Sequence, residues 1–351
     1  MGAGASLVIR DAEEAAVYDS IKSRYDTVAG SETELLREYE AAVAARDRGE
    51  AVGAWVEGKA LAKGLKATLA DRVSSMARKP RLSVLMARRD EASDAAALAY
   101  IGRQRRSCES VGIEMTLVEL PPDEEAAVAA AQAVDADDAV DAILVLSPLP
   151  VGWDGERVTN CVSRRKDVDG LNRENRAALA TAAATGAAPT AAACFAPCTA
   201  EAVLAFLAHL AGGSLRGADV CVVGSSAVVG LPVCHLLLSH GATPTVCHIH
   251  TTNLAEKLRR ADFVVSAAGK AGLIDKTMVK PGAVVIDVGM NSVERDGDTV
   301  LVGDVDRDVA SVARLTAVPG GVGPVTAAVL LSHVVEAAEA RAPDAPAPPP
   351  S

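Results

Sequence analysis

Aromatic residues are scarce in this chain: phenylalanine, tyrosine and tryptophan make up 3% of its 351 residues. Half of the chain is nevertheless hydrophobic, so Val, Leu, Ile and Ala must fill any core, and a disordered or fibrous protein is excluded. Three of the tyrosines (Tyr18, Tyr25, Tyr39) lie near the start, which leaves Tyr100 alone in the rest of the chain. Positive charge is also short. A net charge of −11 argues against nucleic acid, whose phosphates favour a basic surface, and against a polybasic membrane anchor. An anionic substrate would need local cations or main-chain amides instead. No run of about eighteen apolar residues is free of charge, so no transmembrane helix is expected. The start lacks an apolar signal core and carries Asp11, Glu13, Glu14 and Asp19, which speaks against secretion and against a mitochondrial transit peptide. Gly2 falls in a loose N-myristoylation pattern, which a flexible Gly/Ala leader also satisfies. The seven cysteines are odd in number and scattered, none with zinc spacing, so reduced thiols, no metal and a cytoplasmic location are expected.

Residues 1–50 read as a polar, acidic helical extension, and the Pro/Ala-rich residues 341–351 as a disordered tail. Between them, apolar runs at 82–86, 113–118 and 142–146 alternate with helical patterns. The rhythm resumes at 219–223, 243–247, 263–267 and 283–288. Near-continuous apolar strands alternating with helices indicate two α/β domains with parallel sheets covered on both faces. The Ala/Thr-rich stretch 177–193 is placed as a loop near the junction, with the boundary close to Pro197.

Glycine marks the candidate binding sites. Val222-Val223-Gly224-Ser225-Ser226-Ala227-Val228-Val229-Gly230 follows a strand and opens a helix. Such a turn lets main chain approach a ligand and offers free N–H groups to an anion, as at a dinucleotide pyrophosphate. The spacing is not the common G-x-G-x-x-G, and a tight turn without ligand gives the same pattern. Further on come Ile286-Asp287-Val288-Gly289, Gly303-Asp304-Val305 and Pro319-Gly320-Gly321-Val322-Gly323-Pro324. The last is neither helix nor strand interior. It suits a place where main chain lies against a flat ligand.

Taken in order, these motifs resemble the methylenetetrahydrofolate dehydrogenase/cyclohydrolase family. The resemblance runs from about Ala54 to Ala340 and includes Val56-Glu57-Gly58-Lys59, Pro148-Leu149-Pro150, Lys166-Asp167-Val168-Asp169-Gly170 and Pro197-Cys198-Thr199. It implies a folate-binding catalytic domain over residues 51–196, completed by a helix over 325–340, and a Rossmann-type domain over 197–324. It also implies a homodimer, tetrahydrofolate derivatives as substrates and NADP or NAD as cofactor. The family oxidises 5,10-methylenetetrahydrofolate and hydrolyses the methenyl product. Asp169 matches the family carboxylate that holds the pterin, where an ionised oxygen pair accepts hydrogen bonds from the ring edge. Tyr100 matches the tyrosine that stacks on the aminobenzoyl ring. The resemblance sets Leu146, Pro319, Gly320 and Gly321 against the substrate. It sets Gly224, Ser225, Ser226, Val229 and Gly230 against the dinucleotide, with His248, Ile249, His250 and Thr326.

Two positions depart from the family. Its Tyr-x-x-x-Lys, whose lysine moves protons, is here Tyr100-Ile101-Gly102-Arg103-Gln104. Gln104 hydrogen-bonds but has no usable proton near neutral pH. The glutamine that would support the lysine is Leu146. Ser225 and Ile249 stand where many relatives grip the NADP 2′-phosphate with arginine and serine, and NAD stays as open as NADP. The reading is a methylenetetrahydrofolate dehydrogenase with cyclohydrolase weakened or lost. Its alternatives are a non-catalytic folate-binding paralogue acting through a partner, and an α/β dehydrogenase for another substrate.

Overall fold

The computed structural model describes residues 54–190, 193–295 and 298–341. The expected helical extension over 1–50 and most of the expected tail lie outside them. The first sheet holds three parallel strands in the order β3-β2-β4: β2 (Arg81–Ala87), β3 (Glu114–Leu120) and β4 (Ala142–Val145). Six of the seven residues of β2 are buried, as a central parallel strand covered on both faces requires. The helix that crosses from β2 to β3, α2 (Glu91–Val111), begins where the Asp90 side chain accepts the Ser93 N–H and ends at Gly112 in left-handed conformation. Ala97, Ile101, Gln104, Cys108 and Val111 form its buried stripe. Before it comes α1 (Lys59–Ser74), and α3 (Glu124–Ala136) and the short α4 (Gly155–Thr159) follow β3 and β4.

The segment expected as a loop is largely helix. Residues 173–185 form α5 (Arg173–Thr185), capped by Asn172 and closed by Gly186 in left-handed conformation. Alanine has the highest intrinsic helix propensity, and a run without polar punctuation hid the element. Past it, α6 (Cys198–Leu210) leads into a second, six-stranded parallel sheet. Its strands are β5 (Asp219–Val223), β6 (Thr243–Cys247), β7 (Phe263–Ser266), β8 (Val284–Asp287), β11 (Arg314–Thr316) and, at one edge, β1 (Ala54–Val56). The order is β1-β11-β8-β7-β5-β6. Residues 51–196 therefore do not keep to one sheet, because β1 pairs with β11. A polar antiparallel hairpin, β9 (Asn291–Arg295) with β10 (Asp298–Val302), stands outside both sheets. Helices α7 (Gly230–Ser239) and α8 (Leu254–Arg260) connect β5 to β6 and β6 to β7.

The last helix, α9 (Val322–Glu339), packs against α1 and α6. It is long and apolar enough by composition to cross a membrane, yet 61% of it is buried inside the molecule. One continuous apolar cluster runs from β2 and α2 through α9 and α6 to β5. This shared core fixes the cleft between the sheets.

Candidate active site

The Lys166–Gly170 segment carries the cleft's acid, and each of its neighbours holds it in place. Lys166 is buried and donates to the Asp135 and Asp137 carbonyls at 2.5 and 2.8 Å. Asp167 is buried and accepts from the Asn172 N–H (2.8 Å) and the Asn175 amide (3.0 Å). The Val168 carbonyl accepts from Cys198 Sγ (3.2 Å) and His333 Nδ1 (2.8 Å). At Gly170 a Cβ would run into the main chain of Phe195 and Ala196. Only Asp169 is left to face the cleft. Burial, and next the Asp167 carboxylate, push its pKa up to about 6. Cys198, through its thiol and main-chain N–H, and the charge of His333 pull the other way.

The cleft has a volume of about 470 Å³, and its lining includes Arg89, Ser93, Tyr100, Leu146, Asp169 and Thr326. Tyr100 is raised to about 12, chiefly by burial and then by Asp169. It is a neutral phenol presenting a ring face. Seven residues earlier on α2, Ser93 stands roughly 10 Å along the helix axis. Beside it the Arg89 guanidinium donates to the Ser93 carbonyl at 3.3 Å, with the Asp90 carboxylate near enough to feel its charge. The lining contains no lysine or histidine.

Gln104 follows Tyr100 by one helical turn, only 3% exposed, and its Nε2 has no hydrogen-bond partner. It belongs to the buried stripe of α2 and does not line the cleft wall, whereas Arg103 is exposed.

The second cluster lies at the carboxyl end of β5. Chain order reverses there, with β6 on one side of β5 and β7 on the other. This is the topological switch point at which open α/β sheets bind ligands. Gly224 turns the chain at φ +118°, and its missing Cβ leaves room for the Ala267 carbonyl. The missing Cβ of Gly230 leaves room for the Gly224 carbonyl. These glycines are thus required by the turn's own packing, before any ligand arrives. Ser226 Oγ accepts the Val229 N–H at 3.1 Å, and the Ser226 carbonyl accepts from Leu231 at 3.0 Å. The exposed N–H groups of Ser225, Ser226, Ala227 and Val228 have no acceptor among the described residues. Four free amides before a helix suit a pyrophosphate.

Both halves of the chain match known protein domains. Residues 56–169 match the catalytic domain of tetrahydrofolate dehydrogenase/cyclohydrolase, and residues 197–342 match its NAD(P)-binding domain. The bifunctional protein FolD of Thermotoga maritima is 39% identical over 287 residues, spanning 81% of this chain and 98% of the relative. The chain belongs to the tetrahydrofolate dehydrogenase/cyclohydrolase family. The crystal structure of FolD from Campylobacter jejuni superposes with a TM-score of 0.73 at 34% identity, covering 81% of this chain and 98% of that one. The enzyme of Trypanosoma brucei, solved with NADP and an inhibitor, also gives a TM-score of 0.73 at 34% identity, over 84% and 99% of the two chains.

Within this family fold, the sequence-derived residues separate into groups. Tyr100, Leu146 and Asp169 meet in the cleft, and Thr326, expected at the dinucleotide, lines the same cleft. Gly224, Ser225, Ser226, Val229 and Gly230 form one turn, whose Gly224 N–H bonds to the Cys247 carbonyl at 2.9 Å. That bond brings the end of β6, and the exposed His248, Ile249 and His250 after it, close to the turn. The His250 N–H donates to His248 Nδ1 at 3.1 Å. Pro319, Gly320 and Gly321 do not line the cleft. The Gly320 carbonyl instead accepts the Gly58 N–H at 2.9 Å, locking this loop to the turn between β1 and α1. Sequence reasoning saw Cys198 within the Pro197-Cys198-Thr199 string but gave it no task, and it missed Glu201 and His333, which lie behind the segment that carries Asp169. A polar residue in the apolar run of α9 was the signal of His333.

Proposed function

We propose that this protein oxidises 5,10-methylenetetrahydrofolate to 5,10-methenyltetrahydrofolate with NAD(P)⁺, and that it hydrolyses the methenyl product weakly or not at all. The reading is carried by one observation. Tyr100 and Asp169 share a cleft whose lining holds no lysine or histidine.

Asp169, ionised at neutral pH, accepts paired hydrogen bonds from the donor edge of the pterin. The Tyr100 ring supplies a flat face for the aminobenzoyl group. Arg89, a cation in the cleft lining, suits the carboxylates of the glutamyl end. The free amides of Ser225–Val228 fit the dinucleotide pyrophosphate, and bound NAD(P)⁺ supplies the hydride acceptor. Departure of the hydride is driven by lone pairs on the substrate's own nitrogens, so the protein's task is alignment. Hydrolysis is different, because water must add and protons must move. Asp169 is committed to the substrate and Tyr100 stays neutral. Gln104 lies behind the cleft wall and has no proton to shuttle, and Leu146 is apolar. Homodimeric assembly and a cytoplasmic location belong to the same reading.

The test is an assay of purified protein with methylenetetrahydrofolate and each of NAD⁺ and NADP⁺, following methenyltetrahydrofolate by absorbance. The product should accumulate and decay no faster than without enzyme. Rapid decay would refute the loss of hydrolysis, and absence of oxidation would favour the non-catalytic paralogue.

A further inference from the structure

A half-buried ionic clamp lies against the segment that carries Asp169, and the proposed chemistry makes no use of it. His333, on α9, is 2% exposed. Its Nδ1 faces the Val168 carbonyl at 2.8 Å, and its Nε2 faces a Glu201 carboxylate oxygen at 3.0 Å. A carbonyl and an ionised carboxylate have no proton to give; with Glu201 ionised both ring nitrogens must donate, and only the imidazolium can do so. Burial alone would favour the neutral ring. The Glu201 charge and hydrogen bond, with the Val168 carbonyl, outweigh it and carry the pKa to about 9. Glu201 is lowered in turn: burial pushes it up, but the attraction and hydrogen bond of His333 together prevail.

The groups around this clamp come from five elements. Asp167 and Asp169 lie on the segment between α4 and α5, Cys198 and Glu201 on α6, Tyr100 on α2, and His333 and Glu336 on α9, while His240, at the end of α7, acts on Glu201 from outside. Among them, His333 is the cation in hydrogen-bond contact with a carboxylate. The Phe195 ring lies 4.8 Å from its centroid and closes one side. Cys198 Sγ, 3.6 Å from His333 Nδ1, closes another.

We propose that His333 is a positioning residue for the folate carboxylate: clamped as an imidazolium between Glu201 and the Val168 carbonyl, it fixes the main chain that carries Asp169 and keeps that side chain ionised. The proposal rests on the reading that Asp169 receives the pterin. Asp169 has a neighbouring carboxylate that disfavours its charge; the Cys198 hydrogen bond offsets this first, and the His333 charge adds to it. Substrate binding is then bounded on both sides. Below about pH 6 Asp169 takes up a proton, and above about pH 9 His333 loses one.

The experiment measures KM for methylenetetrahydrofolate, kcat, dinucleotide affinity and Tm against pH for the parent, His333→Asn, Glu201→Gln and Asp169→Asn. In the parent, KM should be flat between those limits and rise outside them. In His333→Asn the upper limb should vanish and the lower limb should move to higher pH, with KM rising at the pH values it crosses. Dinucleotide affinity should not move. Glu201→Gln, which keeps the shape of the clamp, should bring the upper limb down toward the ordinary histidine range, and it carries the test if His333→Asn fails to fold. A loss of Tm or kcat with both limbs unmoved would mean that His333 is only a packing residue, and the proposal falls. If Asp169→Asn has the parent's KM and profile, the assignment of the pterin to Asp169 fails instead.

Discussion

The sharpest test of the proposed chemistry is to put the missing proton carrier back. Gln104→Lys combined with Leu146→Gln restores the pair that the family uses, on a scaffold already set to receive it. Gln104 is 3% exposed and its Nε2 has no partner, so the parent already bears an unsatisfied donor, a cost of about 1–3 kcal/mol. An amine in that closed position is desolvated, which lowers its pKa toward neutrality and lets it both give and take a proton in the working range. Leu146 is only partly buried and lines the cleft, so an amide there can stay solvated on the wall and reach toward the amine. Positioned acid–base help is worth roughly 10²–10⁴-fold, or about 3–5 kcal/mol of barrier. Hydrolysis of methenyltetrahydrofolate by the double variant should rise by that order over the parent, while oxidation of methylenetetrahydrofolate changes only a few-fold. Absorbance of the methenyl species under single-turnover conditions measures both. A double variant that folds, oxidises at the parent's rate and hydrolyses no faster would show that proton transfer is not what the parent lacks.

Asp169→Ala should weaken binding of tetrahydrofolate by about 2–3 kcal/mol, the range for hydrogen bonds to a charged group. Calorimetry detects this, and unchanged affinity would remove Asp169 from the site. For the dinucleotide, substitution at Gly224 is uninformative, because a Cβ there meets the Ala267 carbonyl. Val228→Asp is the better probe, since Val228 is 50% exposed beside the free amides. It should cost about tenfold or more in NAD(P)⁺ affinity at unchanged Tm, by repulsion of the pyrophosphate, and equal affinity would place the pyrophosphate elsewhere.

What was legible in the sequence, and what was not, follows from how far apart the interacting groups lie along the chain. Seven of the nine strands of the two sheets were read nearly to the residue, because a parallel strand buried on both faces is a continuous apolar run. The three residues of β1 and of β11 are too few for such a signal, and β9 and β10 are more polar. Tyr100 and Asp169 were readable from local strings. The clamp beneath Asp169 was not, since Glu201 and His333 meet across 132 residues, and a lone histidine in an apolar helix reads as core.

The Asp287–Gly289 and Gly303–Val305 motifs show the same limit from the other side: they were visible, but their task was not. In the structure they are braces built around buried carboxylates. Asp287 accepts the N–H groups of Gly289, Asp304 and Val305 at 2.9, 3.0 and 2.9 Å. Asp304 accepts those of Ala268, Gly269 and Lys270 at 2.7, 3.1 and 2.9 Å, with Ser266 Oγ at 3.2 Å and the Asn291 amide at 2.9 Å. A Cβ at Gly303 would strike Asp287, and one at Gly289 would strike Asp304. Glycine is therefore placed where a carboxylate must pass, and the carboxylates tie the loop after β7 to the base of the hairpin. Asp304→Asn keeps the size but turns one acceptor oxygen into a donor facing donors. Hydrogen bonds to a charged group are worth about 1.5–3 kcal/mol each, though they do not add. A net loss of about 3 kcal/mol should lower Tm by about 4 °C in a chain of this size. Calorimetric unfolding with Tm held within a degree of the parent would refute the brace and return these motifs to the ligand.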